Sequence, residues 1–149
     1  MRILLTTLLA IVLAACGGQA EEGAEAPAQE TGLTQDQIEN GVGPIRTVSL
    51  TVIDEDLAEQ GEEIFKTKCS ACHKMEERYV GPALGDVTER RAPAYVMNMM
   101  LNPEEMIQKH PETKALLAQY LTPMPNQQLT EADARAVLEY LRDENEDQE

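Results

Sequence analysis

Aromatic residues are scarce: 149 residues include no tryptophan, one phenylalanine and four tyrosines. Aromatic rings bury more area than any other side chains. A domain of this length built from protein alone would therefore have little to fill its centre, and a large apolar cofactor would make up the deficit. Positive charge is scarce as well, with 12 Lys and Arg against 27 Asp and Glu, a formal charge of −15. That balance excludes the electrostatics of nucleic-acid binding and of adhesion to anionic lipid. A partner with a basic docking face is expected instead. The longest apolar run, residues 1–15 (MRILLTTLLAIVLAA), is too short for a stable bilayer-spanning helix. Cysteines number only three, so they cannot all pair within the chain.

One basic residue followed by a short apolar stretch makes residues 1–15 an export signal. The stretch ends in Leu13-Ala14-Ala15-Cys16, which resembles the lipobox of bacterial lipoproteins. The resemblance implies that Cys16 is lipidated and becomes the mature N-terminus. An ordinary secretory signal is the alternative. More than one acyl chain holds a protein to a bilayer stably, whereas a single chain binds marginally. The expected location is the periplasmic or cell-surface side, attached to the membrane by lipid.

Residues 16–41 carry six acids, no base and almost no large apolar side chain, the composition of an extended, solvated tether. Val42, Ile45, Val48, Leu50 and Val52 then mark entry into a folded domain, residues 42–149, with its core over about 54–143. The alternation Val48, Leu50, Val52 suggests a short extended segment. From Asp54 the pattern is helical. Leu57, Gly61, Ile64 and Phe65 share one face of a helix running into Cys69, and Lys74 to Arg90 reads as a loop. Pro93, Pro103 and Pro111 are placed to open three short helices. Thr130 is a candidate N-cap for the last helix, whose stripe is Ala134, Val137, Leu138 and Leu141. The acidic tail after Arg142 is expected to fray. The fold class is all-α.

Cys69-Ser70-Ala71-Cys72-His73 is a Cys-x-x-Cys-His sequence, the attachment motif of c-type haem. Residues three apart at a helix end lie on one side, so two thiols can add to two haem vinyl groups while the adjacent imidazole faces the iron. Small Ser70 and Ala71 let the porphyrin edge approach the backbone. Three rivals compete. A zinc site would need His110 as its fourth ligand and strains at adjacent Cys72 and His73. A thiol–disulfide motif would want a βαβ context. A disulfide between Cys69 and Cys72 closes no useful loop.

The stretch from Asp54 to Leu141 resembles class I cytochromes c: Gly61 and Phe65 in the first helix, then CSACH, Gly81-Pro82-Ala83-Leu84, a methionine loop, and Tyr140-Leu141 in the closing helix. The resemblance implies several short helices around one covalent haem c. It gives His73 as axial ligand, Pro82 as the carbonyl accepting from its second nitrogen, and a contact between Gly61 and Tyr140. It also implies a sixth ligand just before the last helix. Met124 stands there between Pro123 and Pro125, which hold the segment extended, whereas Met97, Met99, Met100 and Met106 lie on helical stretches. A loop methionine covering the haem edge, and His110 as a second imidazole, are the alternatives for that position. His110 otherwise reads as a surface helix cap before Pro111.

His/Met ligation favours one-electron transfer over substrate binding, so a monomeric electron carrier rather than an enzyme is expected. A haem enzyme or gas sensor with an open axial position, and a docked subunit of a larger oxidase or reductase, are the other readings. LNPEEM, TKALLAQY and MPNQQLTEADARAVLEYL are also similar to small cytochromes that accompany nitrous oxide reductase. That similarity implies a nitrous oxide reductase as redox partner, with a terminal oxidase as the competitor.

Overall fold

The computed structural model describes residues 32–146, of which the helices and their connections account for all regular structure. The leader, Cys16 and most of the acidic stretch that follows lie outside the described residues. Seven helices follow in order: α1 Gln35–Asn40, α2 Glu55–Lys68, α3 Val87–Arg90, α4 Pro93–Leu101, α5 Pro103–Lys109, α6 Pro111–Tyr120 and α7 Glu131–Glu146. No strand occurs among the described residues, so Val48, Leu50 and Val52 alternate without pairing. The all-α expectation is met.

Helix α2 starts where Asp54 accepts from the Leu57 N–H at 3.1 Å, and acids in its first turn and Lys66 and Lys68 in its last complement the helix dipole. It buries Ala58, Gly61 and Phe65 against α7. At the crossing the Phe65 and Tyr140 rings lie 5.3 Å apart, and a Cβ on Gly61 would overlap the Ala136 carbonyl. Only glycine allows that approach, which brings the start of the haem motif to a fixed place on α7.

Helices α4, α5 and α6 each begin with a proline, whose missing N–H costs nothing at that position. Helix α4 is buried on nearly every side rather than along one stripe, because α1, α7 and the connecting segments all pack on it. Helix α7 opens at Thr130, whose N–H and hydroxyl donate to Asp133 while the Asp133 N–H donates back at 3.1 Å. It continues helical through Glu146, so the segment after Arg142 does not fray at once. Arg142 pairs with the fully buried Glu139 and donates to the Thr51 carbonyl at 2.8 Å, tying the turn to the segment crossing it.

Helical structure begins earlier than the composition suggests. Thr34 and Gln37 form a reciprocal capping box that starts α1, inside the stretch read as spacer up to residue 41. The strap that follows has no β-partner for its backbone, and buried side chains satisfy it instead. Asn98 Nδ2 donates to the Asn40 and Ile45 carbonyls at 2.8 Å each, and its Oδ1 accepts from the Ile45 N–H at 2.9 Å. Asn102 donates to the Val42 carbonyl. These partners are more than 50 residues away in sequence, which is why local composition misses them.

Candidate haem site

The site begins at the C-terminus of α2. Cys69 N–H donates to the Phe65 carbonyl at 2.9 Å, and the next turn closes with the Cys72 and His73 N–H groups both donating to the Cys69 carbonyl at 2.9 Å. The tight turn puts Cys69, Cys72 and His73 on the wall of one cavity. Gly81 N–H donates to the Cys72 carbonyl at 2.8 Å, so the loop through Gly81 and Pro82 lies alongside the motif. A Cβ on Gly81 would come within 2.5 Å of His73 Cε1. Glycine is needed there for the ring to lie against the backbone.

His73 Nδ1 donates to the Pro82 carbonyl at 3.0 Å. That bond fixes the tautomer with the proton on Nδ1 and leaves Nε2 as the lone-pair nitrogen. Burial holds the imidazole pKa below its ordinary value, against the opposing pull of the Pro82 bond. A neutral ring is the ligand form. Burial likewise pushes the Cys69 thiol up to about 11, the opposite of a reactive redox thiol. Cys69 and Cys72 are both free, and no cluster of three metal-binding His, Cys, Asp or Glu occurs among the described residues. The disulfide, thiol-redox and zinc readings have no support in this geometry.

The cavity has a volume of about 360 Å³, within the range of small-molecule and cofactor sites. Its walls come from every part of the domain: Phe65, Leu84, Val96, Met100, Val137 and Leu141 are among the apolar ones. Helix α6 has only Thr113 buried; its Leu116 and Leu117 face the cavity instead. The domain is thus an apolar shell around this cavity, whose lining fits a flat apolar macrocycle with thiols at one edge and an imidazole on one face.

Met124 also lines the cavity, in the segment between Thr122 and Pro125 that carries no helix. Met99 and Met100 share the wall from α4. Met97 is packed in the core, and Met106 is fully buried with its sulfur accepting from the Val42 N–H at 3.0 Å. His110 is not a surface residue. It is fully buried, Nε2 donating to the Ile38 carbonyl at 3.0 Å and Nδ1 accepting from the Glu112 N–H at 3.3 Å. Both ring nitrogens are committed to the protein, which removes His110 as an axial candidate. It does cap α6, and it is buried because α1 covers it.

Among the cavity residues that the sequence reading did not single out are Tyr95, whose hydroxyl is buried without a partner, and Arg91, whose guanidinium lies 5.4 Å from the Tyr95 ring centroid. The short helix α3 within the loop before them was also missed. The available signal was an Arg and a Tyr four apart across a helix start, too common a pattern to single out.

Comparison with known proteins agrees with the geometry. The family model described as cytochrome c matches residues 58–144. A solved structure, a cytochrome c from Rhodothermus marinus, is 51% identical, covers 75% of this chain and 97% of its own, and superposes with a TM-score of 0.72. A cytochrome c-551 of Ectopseudomonas mendocina is 32% identical over 82 residues, 54% of this chain and 93% of that one. A cytochrome c-553-like protein of Synechocystis is 29% identical over 69 residues, 43% of this chain, which spans 66% of that protein's length. Taken with the thiol pair, the oriented imidazole and the apolar cavity, these matches show that the chain belongs to the cytochrome c family, electron-transfer proteins with one covalently attached haem.

Proposed function

We propose that this protein is a lipid-anchored electron carrier in which Cys69 and Cys72 hold the haem and His73 and Met124 are its axial ligands. The observation that carries the ligand assignment is the His73 Nδ1 bond to the Pro82 carbonyl at 3.0 Å, which leaves the Nε2 lone pair available on a ring that lines the cavity. Bound haem supplies a reversible one-electron iron couple. The chain's own residues do the rest. Cys69 and Cys72, one turn apart, fix the macrocycle's edge; the Pro82 carbonyl holds the His73 ring in place and raises its basicity. Pro123 and Pro125 keep Met124 in an extended segment that cannot relax into helix. Phe65, Val96, Val137 and Leu141 exclude water from the site, which lowers the local dielectric and limits solvent reorganisation.

With His73 and Met124 both holding the group, it would keep no open position for a substrate, which supports electron transfer over catalysis. A low-spin absorption spectrum with a sulfur-to-iron charge-transfer band, and no rapid binding of carbon monoxide, is the expected result. Rapid carbon monoxide binding by the reduced wild-type protein would favour the enzyme or sensor reading instead.

Cys16, by its place after the apolar leader, would fix the protein to the outer face of a membrane, with the residues before α1 as spacer. The partner is proposed to be a nitrous oxide reductase or a terminal oxidase. Stopped-flow oxidation of the reduced protein by each purified enzyme decides between them.

A further inference from the structure

The segment from Arg46 to Ile53 joins the strap to α2 without helix and away from the haem cavity. Its backbone is left open. No N–H of residues 46–53 makes a hydrogen bond among the described residues, and of the carbonyls only those of Thr51 and Val52 accept, from Arg142 and from the Thr51 hydroxyl. Arg142 belongs to α7, so the strand edge that carries the Thr51 carbonyl is turned to the domain. Backbone groups alternate between the two edges of an extended chain, which puts those of Arg46, Val48, Leu50 and Val52 on the outer one.

The domain backs this segment from one side. Val48 packs against the core, and Leu50 lines a small cavity of about 150 Å³ with Pro93, Leu138 and Arg142. Even so, Leu50 is 40% and Val52 87% exposed. Proteins blunt a free strand edge with charge or proline. Residues 47–53, TVSLTVI, have neither, and most of them are β-branched. The other long connections are interrupted, one by Pro82 and one by Pro123 and Pro125.

Charge returns at the two ends, as Arg46 and Asp54. Arg46 is held by an exposed ion pair with Asp36, of a kind worth little, and Asp54 caps α2 through Oδ1. The pattern is self-complementary. Laid antiparallel on itself with Leu50 opposite Leu50, it sets Arg46 of each copy against Asp54 of the other, Val48 against Val52, and Ser49 against Thr51, all favourable cross-strand pairs. A slip of one residue sets Leu50 against Ser49 and Arg46 against Ile53, and the match is lost.

We infer that residues 46–53 are an edge strand that pairs antiparallel with the same segment of a second copy of this chain, centred on Leu50, in place of the monomer expected from the sequence. Each copy carries a formal charge of −15, so long-range repulsion opposes the pair. The test therefore belongs at physiological ionic strength, where the Debye length is about 8 Å.

The purified, haem-loaded full chain carrying Leu50→Cys places two thiols directly opposite, with Cβ atoms about 4.5–5.5 Å apart. In Val52→Cys the two thiols are displaced by about 14 Å along the strands. A thiol cross-linker too short for the second span should join Leu50→Cys copies about tenfold faster than Val52→Cys copies, although position 52 is the more exposed. Equal or faster cross-linking of Val52→Cys would mean random collision and overturn the pairing. Adding Val52→Pro to the Leu50→Cys chain removes an outer-edge N–H that bonds nothing within the chain, so it should abolish the cross-link and leave haem content unchanged. A cross-link that survives the proline overturns the proposal, as does a wild-type chain that sediments as a monomer at every concentration. Should the proline variant fail to take up haem, the comparison of Leu50→Cys with Val52→Cys decides alone.

Discussion

Gly61 on α2 lies so close to the backbone of Ala136 on α7 that no side-chain atom fits between them. Gly61→Ala must therefore push the helices apart, and backbone on the far side cannot rotate away as a side chain would. The expected loss is about 1–3 kcal/mol of stability, read from the denaturant midpoint of the haem-loaded protein. Haem content should be unchanged, since Cys69 and Cys72 lie beyond the crossing.

Met124→His should keep haem and fold but lower the reduction potential, because a thioether stabilises ferrous iron and an imidazole is the stronger donor to ferric. Met124→Ala should instead admit carbon monoxide. Survival of the sulfur-to-iron band in Met124→Ala would transfer the ligand role to Met99 or Met100, the other methionines on the wall.

His110→Ala should leave spectrum and potential unchanged while costing stability. Both ring nitrogens hold backbone, one at the start of α6 and one on α1, so the loss is about 1–3 kcal/mol from two freed groups. A change in the low-spin spectrum on this substitution would mean that His110 reaches the iron.

The Thr130–Asp133 box gives a pH dependence. The Thr130 N–H, and then its hydroxyl, hold the Asp133 carboxyl below the usual carboxylate range. A lowered folded-state pKa stabilises above the unfolded value of about 3.9 and is lost as pH falls through the folded one. Asp133→Asn should thus be less stable than wild type at neutral pH, with the difference closing in acid. Thr130→Ala should cost about 1 kcal/mol. Urea midpoints at several pH values test both.

Cys16→Ser should release the protein from membranes without altering its haem spectrum, since the proposed anchor and the cavity are separated by the acidic stretch. Persistent membrane binding, followed by fractionation and immunoblot, would point to an uncleaved leader.

The haem motif, the family and helices α2, α4, α5, α6 and α7 were legible in the sequence because each depends on local spacing. Cys69, Cys72 and His73 form one turn; Pro93, Pro103 and Pro111 each mark a helix start; Thr130 and Asp133 form a box across three residues. The all-α class followed from the same short-range patterns. Tertiary structure decided the rest, through contacts between residues far apart in the chain. Asn98 and His110 gather the strap at residues 38–45 and turn part of the apparent spacer into folded domain. The same packing buries His110, which local composition places on the surface. It also strands the Tyr95 hydroxyl in an apolar wall, a polarity that no spacing along the chain encodes.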